Sequence, residues 1–142
     1  MIRSVLLLAL LFAVGLHTSL TAQDLLLNEI SAANVTHPDT EDDTHDWVEI
    51  HNRSTVPLSL DGFTLTDDPL TPEKYALPDI TLPPNAYVLV WASGKNLTDT
   101  QPPYDSLHAG FKIAAERPFI LIFKQKRYKI CITLLRQTTG NH

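Results

Sequence analysis

Cysteine is almost missing from the sequence. The 142 residues include one, Cys131, so the chain cannot form an internal disulfide. That excludes the small cystine-stapled scaffolds common outside cells and leaves packing to hold the fold. Cys131 lies in an apolar alternating run and reads as a small core residue. Glycine is scarce as well, at five residues. There is no G-x-S-x-G, no H-E-x-x-H and no glycine-rich phosphate loop, so the common motifs of serine hydrolases, zinc proteases and nucleotide binders are lacking. No apolar run reaches the ~20 residues of a membrane span. Positive charge is thin in the body. From Asp24 to Glu116 sixteen acids face four bases, Arg53, Lys74, Lys95 and Lys112. Such a surface repels phosphate backbones, so nucleic acid is not an expected partner.

What is present begins with a leader. Met1 to Arg3 are positive at their end, Val5 to Leu16 run apolar, and a more polar HTSLTAQ follows. This is the layout of a secretory signal peptide over residues 1–22, cut after Ala22. The expected location is secreted, cell-surface or periplasmic, with no transmembrane segment left after cleavage. The remaining chain is long enough for one core.

Ten prolines cut that chain into short pieces with no room for a long helix. The pieces read as strands. They are Leu25–Ser31, Trp47–Asn52, Leu58 and Leu60 leading into the Asp61-Gly62 turn, Phe63–Thr66, Ala86–Ala92, Phe111–Ile113, Phe119–Phe123 and Tyr128–Leu135. A polar loop is expected over 93–106. About seven short strands with frequent turns predict an all-β sandwich or barrel.

The stretch HDWVEIHN, His45–Asn52, puts two histidines and two carboxylates into eight residues. Period-two alternation sends Val48 and Ile50 one way, and Trp47, Glu49 and His51 the other. Glu49 and His51 share a face, but two ligands do not make a zinc site. His37 and His45 fall in a loop and His108 lies far along the chain. No catalytic residue is nominated. Just ahead, Asp39, Glu41, Asp42, Asp43 and Asp46 form an acidic loop. Oxygen-rich loops bind calcium, yet this one lacks the D-x-D-x-D-G order. The loop reads first as a solvated connector, with calcium as the alternative and no other cofactor expected. Trp47, Phe63, Tyr87 and Trp91 read as packing residues. A stacking platform for sugars or bases would need aromatics lined up on one exposed face. Three N-x-S/T sequons, at Asn34, Asn52 and Asn96, are glycan sites only in a glycosylating host.

Four segments in order resemble the lamin tail domain: LLLNEISAAN (25–34), DWVEIHNRSTVPLSLDGFTLTDD (46–68), YALPDITLPPNAYVLVWASGK (75–95) and LHAGFKIAAE (107–116). The shared pattern is an Asn-Glu at the first strand, a W-x-E-hydrophobic-x-Asn strand, a Leu-x-Gly-aromatic turn and a strand ending in W-A-x-G. The resemblance implies an immunoglobulin-like β-sandwich over residues 23–123. It also implies a binding or attachment module without catalytic residues of its own. Asn28, Glu29, Trp47, Glu49, Asn52, Gly62, Asp67, Trp91 and Gly94 match its recurring positions and are expected to be structural.

Residues 124–142 depart from that pattern. Arg117 to His142 carry six bases and no acid, and the turn expected before the last strand has no glycine. This suggests a truncated or frameshifted copy of a longer secreted protein, or a basic anchor to an anionic surface. The expected function is a secreted, non-enzymatic interaction module whose partner is a protein or a cell-surface or extracellular polymer. The alternatives are a calcium-binding adhesive module and the accessory targeting domain of a secreted hydrolase or kinase.

Overall fold

The computed structural model describes residues 24–115 and 119–124. The expected signal peptide, and the expected last strand Tyr128–Leu135 with Cys131, lie outside the described residues. Those residues form ten strands: β1 Leu25–Ser31, β2 Trp47–Asn52, β3 Leu58–Ser59, β4 Phe63–Thr66, β5 Tyr75–Ala76, β6 Thr81–Leu82, β7 Tyr87–Trp91, β8 Leu97–Thr98, β9 Leu107–His108 and β10 Leu121–Lys124. No helix among the described residues is long and apolar enough to cross a membrane. The architecture is all-β, as the strand pattern predicts, and consistent with the immunoglobulin-like sandwich that the resemblance implies.

One layer is a five-stranded sheet in the order β1-β2-β7-β9-β8. Its long strands pair antiparallel, while β7 and β9 run parallel. The other layer holds the three-stranded sheet β10-β4-β5 and the ribbon β3-β6. Strand alternation explains how they join. Leu25, Leu27, Ile30, Val48, Ile50, Val88 and Val90 leave one face of the large sheet and are buried. They share a single apolar cluster with Leu60, Phe63, Leu65, Leu82 and Ile122 from the opposite layer. Each such side chain contributes roughly 1.5–3 kcal/mol by leaving water.

Two threonines show how a central strand manages its second face. All four residues of β4 are buried, because β5 and β10 flank it and the loop after it folds back. The Thr64 hydroxyl donates to the Pro72 carbonyl at 2.8 Å, and the Thr66 hydroxyl to that of Asp68 at 2.9 Å. A valine would pack as well, but at 64 it would take the hydroxyl donor from the Pro72 carbonyl and at 66 the acceptor from the Asp68 N–H.

Asn52 closes the end of β2. It is 0% exposed. Its amide nitrogen donates to the carbonyls of Val56, Leu82 and Pro83 at 3.0, 3.0 and 2.9 Å. Its amide oxygen accepts from the Ser54 N–H and hydroxyl at 3.0 and 2.7 Å. The side chain thus ties the large sheet to the chain that leaves β6. At the other extreme, Gly62 is a purely local requirement. The Phe63 N–H returns to the Leu60 carbonyl at 3.1 Å, and this turn holds Gly62 at φ +75° with no atom where a Cβ would go.

The expected strand over Phe111–Ile113 does not form. Phe111 and Ile113 are buried alternately, 5% and 6% exposed, so the apolar signal was a burial signal. Their backbone instead meets a turn. The Gly94 N–H is shared by the carbonyls of Ala109 and Phe111 at 3.0 and 3.1 Å. Conversely, β8 lies within the expected polar loop 93–106, and β5, β6 and β9 arise where no strand was expected. All four are two residues long, too short to show a period.

Replacing Asn52 by Ala removes all five of its side-chain hydrogen bonds from a buried site. The Ser54 hydroxyl still reaches the Val56 carbonyl and the Ala86 N–H that of Pro83, so a loss of about 3 kcal/mol is expected. Gly62→Ala costs only about 1 kcal/mol, the penalty for a Cβ in the left-handed region. Denaturant melts of the two variants check the contrast. Similar losses at both sites would contradict it.

Candidate functional site

The alternation that buries Val48 and Ile50 sends their neighbours to the outer face of the large sheet. Register then sorts those neighbours into three ranks. Ser31, Trp47 and Trp91 lie side by side, then Glu29, Glu49 and Leu89, then Leu26, His51 and Tyr87. A bulge between Leu27 and Glu29 adds Asn28 to this face. The Asn28 amide donates to the Glu49 carboxylate at 2.6 Å. His51 stacks flat on Tyr87, with ring centroids 4.1 Å apart and planes 7° from parallel. Tyr87 remains 51% exposed. The aromatics expected to be scattered through the packing are therefore partly aligned on one outer face.

Trp91 closes one end of that face. Its indole N–H donates to the Asp105 carbonyl at 3.2 Å. Pro38, Asp39 and Thr40 approach it from the loop between β1 and β2. Together with Leu89 and Asp105 they line an open groove of about 210 Å³.

That loop is organised by Asn34. Its amide oxygen accepts from the N–H groups of Thr36 and His37 at 3.2 and 3.1 Å. Its amide nitrogen donates to the carbonyls of His37 and His45 at 2.6 and 2.8 Å. Its own N–H goes to the Asp46 carboxylate at 3.0 Å. Asp46 is thereby committed to folding the loop.

Asp39 is the surprise of the acidic run, because it is buried. One carboxylate oxygen accepts from the N–H groups of Glu41 and Asp43 at 2.8 and 3.0 Å. The other faces the Lys95 ammonium at 3.4 Å. Burial alone would raise its pKa, but those two amides and Lys95 outweigh burial and hold it below the ordinary value. Lys95 is also hydrogen-bonded to Glu41 and lies 3.3 Å from Asp43. These bonds, with Glu41 first, hold it protonated beyond the usual lysine range despite partial desolvation.

Two histidines complete the cluster. His45 Nε2 lies 3.6 Å from Asp39 and 3.7 Å from Asp43. His108 arrives on β9, which runs beside the end of β7. Its Nδ1 meets the Ser93 hydroxyl at 3.0 Å, and its Nε2 is 4.0 Å from Asp39. Burial first, then the Lys95 charge, push the His108 pKa below 6.5.

The nominated residues thus separate. Asp39, Glu41 and Asp43 converge on Lys95, whereas Asp42 is exposed at φ +63° and Asp46 serves Asn34. The loop is not a uniformly solvated connector. Among the structural positions, Asn28 and Glu49 pair, Asn52 is internal, Gly62 and Gly94 take positive φ, and Asp67 pairs with Lys74 at 2.6 Å. Of the three sequon asparagines, Asn34 and Asn52 are spent on internal hydrogen bonds and only Asn96 is exposed. Sequence reasoning missed His45, Ser93, Lys95 and His108 as a group, since no local motif joins them.

His108 gives the stability a pH dependence. Its folded pKa is lowered, so the unfolded chain binds the extra proton first as pH falls through 6.5. Stability is therefore expected to be intact above about pH 6.5 and to decline below it. Melting temperatures between pH 7.5 and 5.5 check this, and His108→Gln is expected to flatten the slope.

Comparison with known proteins agrees with this architecture. No curated protein matches the chain. The family model described as Lamin Tail Domain matches residues 18–140. With nearly its whole length covered by that match, the chain belongs to the Lamin Tail Domain family.

Proposed function

We propose that this is a secreted, non-enzymatic attachment module that binds a cell-surface or extracellular polysaccharide through the outer face of its large sheet. The family is an immunoglobulin-like, interaction-type domain, which supports a binding role and leaves the partner open. The observation that carries the reading is the alignment of side chains on one face. Trp47, Leu89, His51 and Tyr87 lie in adjacent ranks beside a groove, with Asn28 and Glu49 among them. Flat rings supply contact area at small entropic cost, and neighbouring amide and carboxylate groups supply hydrogen bonds to hydroxyls. The sixteen acids in Asp24–Glu116 make a polyanion a poor partner, so a neutral sugar polymer is favoured over nucleic acid.

Secretion rests on the charged start, the apolar core and the small residue at position 22. Residues 1–22 placed before a reporter enzyme are expected to export it; retention in the cytoplasm would count against export.

Binding is tested by depletion of the protein from solution by insoluble chitin and by insoluble β-glucan. Retention on at least one is expected, with Tyr87→Ala and Leu89→Ala each weakening it at least fivefold at nearly unchanged melting temperature. Retention unaffected by either substitution, or no retention on either polymer, would overturn the reading.

A further inference from the structure

The cluster at the end of the large sheet has an arrangement that its internal ion pairs do not use up. His45 Nε2 is buried and has no hydrogen-bond partner. It points at two carboxylate oxygens, of Asp39 at 3.6 Å and of Asp43 at 3.7 Å. Both distances are too long for a hydrogen bond. All three donor atoms lie within 4.8 Å of one another. Zinc bonds of 2.0–2.2 Å in a tetrahedron put neighbouring ligand atoms about 3.3–3.6 Å apart. The two histidine–carboxylate separations are therefore close to the spacing of ligands around one ion, and the widest of the three, at most 4.8 Å, has to close for the atoms to surround it.

The geometry points to a zinc-class divalent metal site formed by Asp39, Asp43 and His45, in which the metal replaces the Lys95 ammonium. Three further observations agree. Asp39 is held from behind, because its other oxygen accepts two backbone N–H bonds, and such outer support orients metal ligands. His108 stands at the fourth side. Its side chain is 3% exposed, its Nδ1 is fixed by Ser93, and its Nε2 faces Asp39 at 4.0 Å. A small inward shift would make it the fourth ligand. Finally, Asp39, Glu41 and Asp43 carry three negative charges against the one of Lys95. Once Lys95 and Glu41 swing out as a pair, Asp39 and Asp43 keep two negative charges, which a divalent ion balances.

Lys95 competes for this position and does not block it. Its side chain is 25% exposed and its partner Glu41 is 62% exposed. The pair can swing toward solvent together and leave Asp39 and Asp43 to the metal. The imidazole sets the class of ion. Nitrogen and carboxylate donors suit zinc and its neighbours, whereas calcium takes six to eight oxygens. The bound ion would tie the loop between β1 and β2 to β9, beside the groove lined by Asp39 and Trp91.

Titration calorimetry of the full chain with zinc chloride and with calcium chloride tests the site. Cobalt absorption serves as a second probe, since four-coordinate cobalt has visible bands that surface-bound cobalt lacks. One zinc per chain and no calcium heat are expected, with a melting temperature raised by zinc and returned by chelator. His45→Gln is expected to weaken zinc at least tenfold and to remove the cobalt bands. Lys95→Met is expected to tighten zinc about tenfold, because the competing cation is gone, a gain that no merely structural role of Lys95 would produce. Absence of zinc binding, calcium binding in its place, or zinc affinity unchanged in both variants would overturn the proposal. None of these results bears on polymer retention by Tyr87 and Leu89, so the two readings fail separately.

Discussion

Trp47 lies opposite Trp91 and His51 opposite Tyr87 because β2 and β7 pair in one antiparallel register. Side chains alternate along a strand, so a slip of β2 by one residue would turn Val48 and Ile50 to solvent and drive Glu49 inward. The cost would be two buried apolar side chains together with a buried charge. That is enough to exclude the alternative in a domain whose whole stability is of order 10 kcal/mol. One constraint therefore produces both faces of the sheet. The inner face makes the core, and the outer face shows whatever residues remain. It also fixes the neighbours of this pair. The carbonyl at the end of β7 receives the Ala109 N–H at 2.8 Å, which places His108 beside Trp91.

The parts of the fold that this alternation controls were legible in the sequence. β2 and β7 are long enough to show a period, and Val48, Ile50, Val88 and Val90 are buried as it assigns, whereas the bulge interrupts the period in β1 and β4 is buried on both faces. The two-residue strands were not legible, because a pair such as Leu97-Thr98 or Thr81-Leu82 contains no repeat. Phe111–Ile113 misled in the opposite direction. A period of two reports which residues are buried and says nothing about what the backbone bonds to. There the bonding partner was the N–H of Gly94 in its left-handed turn.

The site was legible only in fragments. HDWVEIHN drew attention to Glu49 and His51, which share a face but turn to different partners, Asn28 and Tyr87. The histidine that meets carboxylates is His45, at the edge of that stretch, and its companion His108 lies on a strand that no pattern announced. Sequence spacing could not bring them together, because their meeting depends on the parallel β7–β9 contact and on a loop folded around Asn34. The same holds for Asp39. In a run of five acids nothing distinguishes the one that is buried. What distinguishes it in the structure is the pair of backbone N–H groups aimed at one oxygen.

That pair of amides explains why a carboxylate can be buried at the rim of the sheet at all. An unpaired buried charge would be neutralised or expelled. Here backbone dipoles bind one oxygen and Lys95 the other, so Asp39 stays ionised below its usual pKa. The arrangement carries more negative charge than Lys95 balances, and it sits where the loop between β1 and β2 meets Trp91. The loop is thus held by electrostatics at a point where the apolar core does not reach. The groove opens onto the outer face through Leu89, whose rank is next to that of Tyr87.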